Sequence, residues 1–113
     1  MIVRDYREIE AEDIAEPGAE DVRIREVITK REGAPHFAMR VFDVAPGGYT
    51  PFHAHEWEHE VFVLEGEGVV VNEQGDHALT PGTTVFVPGG ETHNFRNTGP
   101  DLLRFICLIP NPE

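Results

Sequence analysis

The chain holds one cysteine and one lysine in 113 residues, and each scarcity excludes something. Cys107 has no partner for an internal disulfide, so the fold must rest on its apolar core, and a reducing compartment is expected. Lys30 is the sole lysine among nine cations, which face 21 acidic residues for a formal charge of −12. A surface so acidic repels phosphate backbones and sets nucleic acid aside as a partner. No run of about 18 apolar residues occurs, so no membrane helix is expected. Residues 1–16 carry Arg4, Asp5, Arg7, Glu8, Glu10, Glu12 and Asp13 where a secretory signal would need an apolar core. A cytoplasmic protein without membrane association is the expectation.

Internal repeats, linkers and low-complexity stretches are also lacking, and the length suits one domain. Turn formers are frequent instead: Pro17-Gly18, Gly33, Pro46-Gly47-Gly48, Gly66, Gly75, Pro81-Gly82, Pro88-Gly89-Gly90 and Gly99-Pro100. Between them lie β-rich pieces of strand length, at residues 22–30, 37–44, 60–65, 68–73, 83–87, 92–96 and 102–109. Gln74-Gly75-Asp76 separates residues 69–72 from 77–80 as a hairpin would. Only residues 8–15 suit a helix, of two turns at most, ending at Pro17-Gly18. The pattern predicts an all-β sandwich or barrel.

Four of the six histidines fall in two short windows, His53, His55 and His59 in one and His93 in the other. On a strand, alternate side chains share a face, which sets His53 and His55 side by side with Cα atoms about 6.6 Å apart. Continuing that parity turns His59 to the same face and Glu60 to the other, provided no bulge intervenes. His93 follows a Pro-Gly-Gly turn able to return a distant strand across the barrel. Together these rings suit one divalent metal ion better than chance exposure does, whereas His36 and His77 read as surface histidines.

These residues resemble the two motifs of the cupins. The first, G-x5-H-x-H-x3or4-E-x6-G, begins at Gly47 and passes through His53 and His55 to His59 or Glu60. The second, G-x5-P-x-G-x2-H-x3-N, is matched by Gly82, Pro88, Gly90, His93 and Asn97. Counting back from Gly66, the slot in which cupins ordinarily place glutamate is held by His59. The resemblance covers about residues 33–110 and implies a small double-sheet jelly-roll barrel with residues 1–32 as an N-terminal strand or arm. It is nearest to the short single-domain cupins with four histidine ligands, which implies Mn2+ at His53, His55, His59 and His93 and a homodimer. The strand-like residues 1–9 would add to the partner's sheet edge.

Imidazole donors alone equally suit Fe2+, Zn2+, Ni2+ or Cu2+. Four neutral ligands leave the ion its full formal charge, and a six-coordinate ion keeps two positions for small oxygen ligands. A closed tetrahedral zinc would instead be structural. A metal-dependent oxidoreductase using dioxygen or peroxide on a small oxygen-rich or unsaturated molecule is expected. A non-catalytic binder of a small anion or sugar acid, and a Lewis-acid lyase or isomerase, are the alternatives. Alternation places Phe105 and Cys107 on one face of the last strand, where Cys107 is either a small buried apolar group or a thiol supporting the site. Arg40 either lies at the surface or points inward to hold a substrate carboxylate. Tyr49 and Trp57 share parity with the histidines and are expected either to wall the pocket or to pack elsewhere.

Overall fold

A computed structural model describes residues 1–111 of the chain. Nine strands follow in order: β1 (Glu12–Asp13), β2 (Glu20–Ile28), β3 (Phe37–Tyr49), β4 (His59–Glu65), β5 (Gly68–Asn72), β6 (Gly75–Leu79), β7 (Thr84–Val87), β8 (Asn94–Asn97) and β9 (Leu103–Pro110). All pairings are antiparallel, in the order β6-β5-β8-β3-β9-β4-β7, and β2 joins β3 with β1 at its side. The sheet curls into a barrel of the jelly-roll kind, so the all-β expectation holds. Among the described residues no helix is long and apolar enough to cross a membrane.

Alternation explains where the core sits. Phe42 and Val44 of β3, Val61 and Val63 of β4, Phe95 of β8, and Leu103, Phe105 and Cys107 of β9 face inward as one buried cluster. Val44, Val63 and Leu103 are completely buried, and each such side chain contributes about 1.5–3 kcal/mol by leaving water. The polar residues between them face outward. Asp43, between Phe42 and Val44, turns away from the core and accepts from Arg25 and Arg104.

Two expectations are corrected. Residues 8–15 form no helix: Tyr6–Glu8 make a 3-10 turn capped by Asp5, and Glu12–Asp13 pair with β2. Residues 1–9 lie in no strand of this chain, where their polar groups engage other elements, and their addition to a partner's sheet edge stays a proposal. Arg4 donates to the Val27 carbonyl, Tyr6 accepts from Arg104, and the Ile9 carbonyl accepts from Arg25. Finally, Pro46-Gly47-Gly48 does not end β3, which continues to Tyr49. Gly47 takes a φ of 81° within it, and the β2 pairing slips between Glu20 and Val22, so the strand bends rather than stops.

Candidate metal centre

His53 and His93 are fixed by the backbone before any side chain is considered. The His53 N–H donates to the His93 carbonyl at 3.2 Å, and the His93 N–H donates back to His53 at 3.1 Å. Residues paired this way stand opposite each other with side chains on one face. His59 opens β4 in register with Val87, and shares parity with the buried Val61 and Val63. Glu60 therefore points out of the barrel, exposed beside Phe62. Alternation from Val61 settles which of the two faces the interior. It is His59.

His55 sits in the loop between, and the Pro-Gly-Gly turn holds that loop. Gly90, at a φ of 85°, donates its N–H to the His55 carbonyl at 2.6 Å. Gly89 lies so close to the Glu56 carbonyl that a β-carbon there would collide with it. The glycines of the second motif thus permit a close backbone approach between two distant segments. Its asparagine, Asn97, is buried and donates to the Val44 and Asp101 carbonyls, each at 2.8 Å.

The four rings form a connected cluster. Centroids are 4.2 Å apart for His53 and His55, 5.4 Å for His55 and His59, and 5.1 Å for His59 and His93. Among the described residues, no three histidine, cysteine, aspartate or glutamate side chains already hold their donors in metal-binding geometry. The rings gather without converging on one point.

Their hydrogen bonds nevertheless suit ligation. His93 Nδ1 lies 2.9 Å from the Glu91 carbonyl, which can only accept, so Nδ1 carries the proton and Nε2 keeps its lone pair. His59 Nδ1 lies 3.4 Å from Cys107 Sγ, and its Nε2 is buried with no hydrogen-bond partner. A buried nitrogen left so is rare in a folded protein and requires an explanation. A metal ion in contact with it would supply one. Burial, then the neighbouring His93 and Arg40, holds the His59 pKa down at about 4, and burial also lowers that of His55. Both rings are therefore neutral near pH 7, the form that binds metals.

A cavity of about 260 Å³ opens over the cluster. Arg40, Phe105 and Cys107 line it, as do all four clustered histidines. Tyr49 does not, although it shares their parity. The chain leaves the strand after Tyr49, Thr50 faces the cavity in its place, and Tyr49 packs under the Arg96 guanidinium at 5.0 Å. Trp57 does not line the cavity either; it stacks on the His55 ring at 4.6 Å and remains 41% exposed. His36 and His77 are exposed.

Sequence reasoning passed over Ile14, Ile24, Phe42 and Phe95, the apolar walls. Phe42 and Phe95 were readable, being two residues from Arg40 and His93 on their strands. Ile14 and Ile24 come from β2 and the segment before it, which lie outside the cupin motifs.

Residues 40–109 match the cupin domain family, and the chain belongs to it. Over 96 residues it is 33% identical to an oxalate-binding protein of Thermotoga maritima, covering 81% of this chain and 78% of that one. It is 32% identical over 71 residues to a 1-methylthio-D-xylulose 5-phosphate methylsulfurylase of Rhodospirillum rubrum, covering 63% of this chain but only 46% of that protein. The chain thus spans under half of that relative. Among solved structures, the polyketide cyclase RemF of Streptomyces resistomycificus superposes with a TM-score of 0.94 at 38% identity, over 99% of this chain and 80% of the other.

Proposed function

We propose that this cupin holds one divalent ion among His53, His55, His59 and His93 and uses it on a small, largely apolar molecule that carries oxygen ligands. The observation behind this reading is the His59 Nε2 atom, buried and unpartnered at the end of the cavity where three other imidazoles gather. Mn2+ is the ion that the resemblance to four-histidine cupins implies, and an all-imidazole set also accepts Fe2+, Zn2+, Ni2+ or Cu2+.

Once bound, the ion would polarise a substrate oxygen or, with a redox-capable metal, exchange electrons with a bound oxidant. The protein does the rest. Glu91 fixes the His93 tautomer, and Cys107 contacts His59 from behind. Phe42, Phe95 and Phe105 keep water from the inner wall and orient a flat substrate against it.

Two reaction classes fit this arrangement. Lewis-acid ring closure or isomerisation of a carbonyl compound is favoured by the apolar walls and by the likeness to a polyketide cyclase. Oxidation of an oxygen-rich or unsaturated molecule by dioxygen or peroxide is favoured by four neutral donors, which leave the ion its full charge. Metal analysis of purified protein, with turnover assayed in air and under argon, tests both. One bound ion per chain is expected in wild type and less than about a tenth of that in His53→Ala. Metal content indifferent to that change would overturn the reading. Turnover under argon selects the Lewis-acid class, and oxygen uptake the redox class.

A further inference from the structure

Arg40 is placed unlike the arginines around it. On the outer face of the same sheet, Arg25 and Arg104 share the Asp43 carboxylate at 2.8 and 2.7 Å. Arg40 points into the cavity, and among the described residues it makes no ion pair. Glu26 stands in register with it on β2 but is exposed and does not reach it. The Arg40 Nη2 donates to Cys107 Sγ at 3.1 Å, while its Nε is buried with no acceptor. A half-buried guanidinium whose Nε is withdrawn from water without an acceptor is costly, and Glu16, the acidic residue that lines the same cavity, makes no ion pair with it.

The floor beside it is aromatic. The guanidinium lies 4.9 Å from the Phe42 ring centre, Phe42 stacks on Phe105 at 5.2 Å, and Phe105 meets Phe95 at 4.7 Å. Phe95 in turn meets the edge of His93 at 5.7 Å. A row of rings thus runs from the arginine to the histidine cluster, and a single sulfur atom separates Arg40 from His59.

From this we infer that the cavity's ligand is a flat, conjugated carboxylate. Its carboxylate accepts from the part of the Arg40 guanidinium that faces the cavity, and its body lies along Phe42, Phe105 and Phe95. The inference deepens the proposed function, since it takes this cavity as the substrate site, but it does not depend on the metal. Arginine presents a planar fork that matches a carboxylate, and offset rings favour a planar ligand.

The test is calorimetric titration of cinnamate and of cinnamamide, its neutral isostere, into chelator-treated and Mn2+-loaded protein. Chelator-treated wild type should bind cinnamate at least about tenfold tighter than cinnamamide, the scale of one charge-assisted hydrogen bond. Arg40→Met should erase that preference while cinnamamide affinity holds, and Arg40→Lys should restore part of it. Equal binding of both probes by wild type, or a preference surviving in Arg40→Met, overturns the inference. The wild-type comparison decides the matter even if the variants fail to fold. Preference for cinnamate in a wild-type protein that takes up no Mn2+ when it is offered would uphold this inference while removing the proposed metal function.

Discussion

Replacing Asp43 with alanine tests whether the outer face of the barrel is held by one carboxylate. Asp43 is 8% exposed and accepts from Arg25 at 2.8 Å and from Arg104 at 2.7 and 3.1 Å, which ties β3 to β2 and to β9. Arg104 also donates to the Tyr6 hydroxyl at 2.8 Å, so the same centre anchors the N-terminal segment. In Asp43→Ala, Arg25 loses its carboxylate and keeps the Ile9 carbonyl and the Tyr6 ring, while Arg104 retains Glu65. Removing one partner of a buried pair costs about 3–5 kcal/mol, and the remaining Glu65 contact argues for the lower end, about 3 kcal/mol. For a domain of this size that lowers Tm by roughly 12 °C. Urea unfolding followed by circular dichroism, with calorimetry for Tm, measures it. A loss below about 1 kcal/mol, the range of exposed ion pairs, would refute the reasoning.

The pH dependence supplies a second arm. Burial pushes the Asp43 pKa up, but hydrogen bonds from Arg104 and Arg25 outweigh it, and the net shift is downward. The unfolded chain then takes up the proton more readily than the native one. The contribution is complete above the ordinary aspartate pKa of about 3.9 and is lost as pH falls below it. The gap between wild type and Asp43→Ala should therefore narrow on acidification below about pH 4. A gap constant with pH would mean that packing, not charge, is responsible.

Gly89→Ala should drive a methyl group into the Glu56 carbonyl and displace the loop that carries His55. Metal affinity should fall by about tenfold or more by calorimetry, and unchanged affinity would show that the turn does not position His55. The homodimer implied by the resemblance to cupins is a proposal that light scattering checks, with an expected mass of twice the 12.7 kDa chain. A mass of one chain would withdraw it.

The histidines show how far sequence reaches. Period-two alternation allowed His53, His55 and His59 to be set on one face, and the Pro88-Gly89-Gly90 turn announced the return of His93. Yet the parity argument was incomplete, because residues 54–58 are not a regular strand. His59 faces inward because it heads β4 in phase with Val61 and Val63. Tyr49 marks the failure of the same rule: parity does not carry across the break at Thr50 and Pro51. The segment 8–15 was misread for a related reason. Its helix signal was weak, and pairing with β2 and hydrogen bonds to distant elements overrode it.

By itself, then, the sequence determined the class of fold, the gathering of the four histidines and the acidic character, since these depend on local periodicity, turn residues and composition. Only the tertiary structure decided which side chains meet. It brought Ile14 and Ile24 over the cavity, gave Asp43 to two arginines, and left Arg40 facing the aromatic floor without a counter-ion. The physical reason is that alternation fixes the face on which a side chain lies, whereas its neighbours on that face come from pairings between strands distant along the chain.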